Sequence, residues 1–98
     1  MDALDLANFQ SNQPKARSNS SILDVGFGNT VPRNRVVGIL SYDSDPLRRQ
    51  CLELEKLHRV IDATRGRRVK SVIFLDSSHV VLSAVARETL SERFESLG

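Results

Sequence analysis

Tryptophan is missing from this chain of 98 residues, tyrosine occurs once and phenylalanine four times. Proteins that hold single-stranded nucleic acid stack successive bases on aromatic platforms, so this scarcity argues against that mode. The single cysteine, Cys51, excludes an intrachain disulfide and fits a reducing compartment. One Cys and two separated histidines, His58 and His79, show no ligand spacing. No metal, cofactor or small-molecule substrate is therefore expected. No apolar run approaches the ~20 residues of a membrane helix, and the N-terminus lacks the apolar centre of a signal peptide. The expected location is the cytoplasm, with no membrane partner. An acid–base pair would have to combine His79 or His58 with Asp62 or Asp76. His79 opens a strand and His58 closes a helical stripe, positions where histidine serves packing or a turn, so no enzymatic activity is expected.

Charge is present in quantity but unevenly placed. The formal total is +2, yet residues 1–32 sum to −1, residues 33–70 to +5 and residues 71–98 to −2. The middle third is the electrostatic face, the feature to weigh for a polyanionic partner. Its densest part is RVIDATRGRRVK, where Arg59, Arg65, Arg67, Arg68 and Lys70 meet one acid, Asp62. Apolar residues precede this run at Val60 and Ile61 and follow it from Val69 to Leu75, which places Gly66 and its arginines in a tight loop between structured elements. Guanidinium forks on such a loop suit bidentate binding of phosphate and stay charged at any working pH. A solvated turn or a local salt bridge is the plain alternative. Asp62 is expected to anchor a backbone amide or a nearby arginine and so to order the loop.

The first twenty residues, rich in Asn, Gln, Ser and Ala, read as a disordered N-terminal arm, with a single folded domain over residues 21–98. Ile22 to Val25 reads as a short strand entering Gly26-Phe27-Gly28-Asn29, a sharp excursion of the backbone. This glycine loop is a poor phosphate cradle, since no lysine follows and no helix opens after it. Asn34 to Tyr42 reads as a strand with a bulge or close approach at Gly38. Asp45 is placed to cap a helix, with Pro46 at its first position. Leu47, Cys51, Leu54 and His58, with Leu57 beside them, form an apolar stripe that packs on a sheet. Arg49 with Glu53, and Glu55 with Arg59, are spaced to pair along the outer side. VKSVIFLD and HVVLSAV around Asp76-Ser77-Ser78 read as an antiparallel hairpin. Ile73 and Leu75 oppose Val72 and Phe74 across the first strand, and Val80 and Leu82 oppose Val81 and Val85 across the second. Arg87 to Leu97 reads as a short amphipathic helix with Leu90, Phe94 and Leu97 inward.

The fold class expected is α+β: a small, mostly antiparallel sheet of four to five strands with two helices. Both sheet faces are apolar, and two short helices cover them with difficulty. Bare apolar faces mark interaction surfaces, so a homo-oligomer is expected. The alternative is one helix on each face and a self-sufficient monomer.

Several strings occur in a fixed order: VGFGN, NR opening a strand, SxxSxP opening a helix, IDATxGRR, and DSxHVxLSAV followed by ET. In that order they resemble the RemA family of bacterial regulators over residues 22 to about 93. The resemblance implies a DNA-binding transcriptional regulator of extracellular-matrix and biofilm genes, similar in fold to LytTR-type domains and assembled into closed rings. Carried over by position, the family's DNA-contacting arginines fall on Arg67 and Arg68, with Arg35 a third candidate and Arg33 close by. Arg65 and Lys70 complete the candidate set, and Pro46 matches a structural proline. This chain departs from the family in its arm, in Arg65 where an aromatic residue is common, and in a diverged helix from Pro46 to Leu57. The mechanism implied is multivalent: each subunit offers a few arginines to the phosphates of double-stranded DNA, and an oligomer sums them. The competing reading is a ring-forming scaffold whose basic loop binds an acidic protein or a nucleotide.

Overall fold

The computed structural model describes residues 22–96; the arm and Leu97 of the final stripe lie outside these residues. Strand β1 (Ile22–Gly26) and β2 (Asn29–Pro32) form a two-stranded antiparallel hairpin turning through Phe27 and Gly28. One 3-10 turn (Arg33–Arg35) leads into β3 (Val36–Ser41), and α1 (Asp45–Lys56) follows. Strands β4 (Val60–Asp62), β5 (Ser71–Leu75) and β6 (Val80–Ser83) precede α2 (Arg87–Glu95). A four-stranded sheet runs in the order β3-β5-β6-β4, antiparallel except between β4 and β6. The class is α+β, as the pattern of elements implies: a mostly antiparallel sheet of four strands with two helices, to which the β1–β2 hairpin adds a second, two-stranded sheet.

The β5–β6 hairpin forms as its alternation requires. Ile73, Leu75, Val81 and Val85 join one core with Leu23, Val25, Val31, Ala63, Leu90 and Phe94. Val72, Phe74, Val80 and Leu82 join the other, with Leu47, Cys51, Leu54, Tyr42 and Val60. The β1–β2 hairpin and α2 therefore cover one face of the sheet and α1 covers the other. The covering problem posed by two short helices is solved within the single chain, because the β1–β2 hairpin acts as a third cover. Exposed apolar side chains include Val37, Leu40 and Ile61 on the edge strands of the four-stranded sheet, Leu52 on the outside of α1, Leu57 just past it, and Ile22 and Phe27 on the β1–β2 hairpin.

Local structure departs from expectation at several boundaries. Ser44, rather than Asp45, caps α1: its Oγ accepts from the Leu47 amide at 3.3 Å, and Asp45 and Pro46 open the first turn. On the outer face Arg48 pairs with Asp45 and Lys56 with Glu53, each at 3.3 Å, in place of the four-apart pairs expected. His58 leaves the stripe. It adopts φ 59° just past the helix, where its amide donates to the Glu55 carbonyl and the Arg59 amide to that of Leu54, a Schellman ending normally built with glycine. Leu57 turns outward, 62% exposed. Between Val36 and Gly38 the register of β3 shifts, the bulge anticipated there, and Val37 is pushed out to 70% exposure.

Candidate nucleic-acid interface

Topology puts the basic loop on the surface. Strand β4 runs parallel to β6, pairing Asp62 with Leu82, whereas β5 starts opposite the end of β6, pairing Ser71 with Ser83. The segment from Ala63 to Lys70 must therefore cross over the end of β6 to connect the two strands that flank it. It is tied at both ends: the Ala63 amide donates to the Leu82 carbonyl at 2.9 Å, and the Lys70 amide to that of Ser83 at 2.8 Å. Between these ties Asp62 supplies the anchor. Its Oδ1 accepts from the Thr64 hydroxyl at 2.6 Å and from the Thr64 amide at 2.9 Å. Those bonds hold the Asp62 carboxyl below its ordinary range, the hydroxyl contributing most, then the amide, against a smaller opposing effect of desolvation. Thr64 is buried, and the Arg67 amide closes a turn onto its carbonyl at 3.0 Å. Arg65 and Gly66 both lie at positive φ, 54° and 80°, which makes the turn tight.

Arg65, Arg67, Arg68 and Lys70 all project as exposed side chains from this loop. Among the described residues, no carboxylate forms an ion pair with any of the four. The β1–β2 turn comes up beside them. Its position is set by Ser83, whose Oγ donates to the Val25 carbonyl at 2.8 Å and accepts from the Val85 amide at 3.0 Å. Phe27, at the tip, sits 5.9 Å from the Arg65 guanidinium and 5.6 Å from that of Arg67, measured to the ring centre. Gly26, Phe27, Arg67, Arg68, Lys70, Ala84 and Val85 line an open cleft of about 360 Å³ between turn and loop. A wider depression of about 540 Å³ on α1 is lined by Arg49, Leu52, Glu53, Glu55 and Lys56. One helix face supplies it and its charges cancel, so it brings no like groups together.

Arg33 and Arg35 lie elsewhere. Arg35 pairs with Asp76 at 3.5 Å, and the Asp76 amide donates to the Arg35 carbonyl. Asp76 and Lys70 stand at opposite ends of β5, roughly 20 Å apart at 3.3 Å per residue. Arg33 lies against α2, its guanidinium 5.7 Å from the Phe94 ring centre and its Nη2 donating to the Arg93 carbonyl at 3.3 Å. The fold thus gathers four of the six candidate arginines and lysines at one end of the sheet and holds two at the other. The aromatic beside the cluster, Phe27, escapes a reading based on charge. Its signal in the sequence is a large ring between two glycines, at the sharp excursion of backbone where a side chain stands at a turn.

The remaining titratable candidates have local roles. His79 Nδ1 meets the Ser77 hydroxyl at 2.9 Å within the β5–β6 turn, and His58 ends α1. Burial pushes the Cys51 thiol up, as expected of a core residue. Among the described residues no cluster of His, Cys, Asp or Glu could hold a metal ion, and no helix is long and apolar enough to cross a membrane.

Comparison with known proteins shows the family to which the chain belongs. The family described as RemA-like, extracellular matrix regulatory protein A-like, matches residues 22–94. A candidate regulatory protein of Crocosphaera subtropica is 47% identical over 76 residues, covering 78% of this chain and 84% of that protein. A second, from Trichormus variabilis, is 48% identical over 73 residues, 74% of this chain and 83% of that one. A third, from Halalkalibacterium halodurans, is 45% identical over 78 residues, 80% of this chain and 90% of that one. On that match across nearly the whole described region, the chain belongs to the RemA-like family of regulatory proteins.

Proposed function

We propose that this protein is a transcriptional regulator that binds double-stranded DNA through the Arg65–Lys70 loop and acts on extracellular-matrix genes as a homo-oligomer. One observation carries the reading: four exposed cations on a loop ordered at both ends, with no acidic partner among the described residues. A cation that neutralises no carboxylate and is held in place offers its charge to a polyanion without first breaking an ion pair. Arg67 and Arg68 are the principal phosphate contacts, and Arg65 and Lys70 extend the track. Arg35, whose pairing with Asp76 leaves both side chains about half exposed, can exchange that carboxylate for a phosphate at a second point of contact.

Three or four phosphate contacts per subunit bind weakly alone, so assembly supplies the affinity by avidity. The exposed apolar residues on the edge strands β3 and β4 support self-association, and a head-to-tail contact between unlike edges closes into a ring where its rotation divides a full turn. Specificity then rests on DNA shape and on phased spacing of sites more than on base edges. The protein is proposed as a binding protein, rather than an enzyme, located in the cytoplasm.

The test is binding of the purified chain to duplex promoter DNA over a salt series, with molar mass measured in parallel by light scattering. Affinity should fall steeply with salt, and the double variant Arg67→Ala/Arg68→Ala should lose DNA while keeping mass and thermal stability. An intact oligomer that ignores duplex DNA at low salt would overturn this reading in favour of a scaffold for an acidic protein partner.

A further inference from the structure

The cleft beside the basic loop contains more than charge. Phe27 is 43% exposed at the tip of the β1–β2 turn, where the glycines on both sides carry no side chain to cover it. Its backbone sits at φ 56°, between Gly26 at 106° and Gly28 at 79°. Three consecutive residues in the left-handed region form a narrow tip. The ring it carries is too exposed to serve mainly as core, and a strained backbone persists only where its surroundings hold it. The surroundings here are specific: Asp24 Oδ1 accepts from the Gly26 amide at 2.8 Å, and Ser83 binds the Val25 carbonyl. Phe27 is thus fixed in register with Arg65 and Arg67, within 6 Å of both guanidiniums, and with Ala84 and Val85 it gives the cleft an apolar wall.

Cations alone would serve phosphates equally well from a polar loop. What alternates with phosphate along a nucleic-acid strand is the sugar, whose carbon edge has no partner among arginines. We infer that Phe27 is a nucleic-acid contact in its own right, packing on the deoxyribose between phosphates held by Arg67 and by its neighbours Arg68 and Lys70. This deepens, and rests on, the reading of the loop as a DNA-binding element. The contact is uncharged, so it adds affinity without releasing counterions. That property separates it from the arginines. It also separates it from the bland role, in which the ring only holds Arg65 and Arg67 in position through cation–π attraction.

The experiment uses the full chain and a fluorescently labelled duplex of about 25 base pairs, with anisotropy recorded over a range of potassium chloride concentrations. Phe27→Ala should weaken binding about tenfold at every salt concentration, the size expected for loss of one aromatic packing contact, with an unchanged slope of log affinity against log salt. Arg67→Ala should lower that slope by about one. Phe27→Tyr, which keeps the ring, should bind as the parent does. The inference is overturned if Phe27→Ala binds like the parent, if its slope falls along with its affinity, or if Phe27→Tyr fails as badly as Phe27→Ala. A parent chain that does not bind the duplex at any salt concentration would overturn the DNA reading itself.

Discussion

Asp62 is the residue on which the order of the basic loop depends, and its effect on binding runs against its charge. Removing it makes the loop more positive, which by attraction alone should favour DNA. A surface charge interaction contributes about 0.2–1 kcal/mol, whereas hydrogen bonds to a charged acceptor contribute about 1.5–3 kcal/mol. Asp62 makes two of these to Thr64, so loss of order should dominate. Asp62→Ala is expected to weaken duplex binding despite the added positive charge; tighter binding in the anisotropy assay would show that the loop needs no anchor. The same bonds set a pH dependence. Because the folded carboxyl is more acidic than the unfolded one, its contribution is complete above the ordinary value near 4 and is lost as pH falls through the lower, folded one. The Thr64 amide resonance should therefore titrate with a midpoint below about pH 4. A midpoint above it would contradict the bonding seen here.

At the scale of elements, the β1–β2 hairpin is the piece whose attachment can be broken cleanly. A Cβ added at Gly26 would meet Val85 Cγ2 at 2.9 Å, and the residue has φ 106°, so steric and torsional costs coincide. Gly66 also has positive φ but open space around it. Gly26→Ala should cost about 2–4 kcal/mol and Gly66→Ala about 1–2 kcal/mol, an order that urea denaturation midpoints would reverse if the hairpin were only loosely docked. His58 offers the opposite sign. Placing glycine there relieves a left-handed non-glycine residue worth about 1–2 kcal/mol and costs about 0.5–1 kcal/mol of chain entropy. His58→Gly should therefore raise the melting temperature by a few degrees.

These elements also separate what the chain discloses from what it hides. The β5–β6 hairpin was legible because two alternating apolar runs flank a polar turn, and the basic loop because its charges cluster in sequence as they do in space. The anchoring role of Asp62 followed from its being the only acid there. Strand β2 was not legible: Asn29-Thr30-Val31-Pro32 has one buried side chain, Val31, and its pairing comes from β1 rather than from its own pattern. Separation of Arg33 and Arg35 from the loop was equally hidden, since it depends on β5 lying between them. The proximity of Phe27 to Arg67 joins residues forty apart in the chain and needs the Ser83 bond to Val25, which no local pattern announces.

For the whole molecule, the question is what the bare edges do once both sheet faces are covered. Val37 on β3 is 70% exposed and Ile61 on β4 is 49% exposed, and these strands are the two outermost of the sheet. Natural sheets usually blunt such edges with charge or proline, and here each carries a β-branched apolar side chain. A lysine at Val37 would remove little core, because most of that side chain is already in water, but it would place an unpaired charge in any edge contact. Val37→Lys is therefore expected to leave the melting temperature within a few degrees of the parent and to lower the molar mass in light scattering. Binding provides the second readout. If several subunits contact the duplex together, the parent's log affinity should fall with log salt at roughly 0.9 per phosphate summed over those subunits. A dissociated variant would retain only the three or four contacts of one loop, and its slope should fall to about 3. A variant that stays assembled would direct attention to another exposed apolar pair, Leu52 on α1 and Leu57 just past its end. One that dissociates yet keeps the parent's slope would mean that a single subunit makes all the phosphate contacts, leaving assembly without a part in DNA affinity.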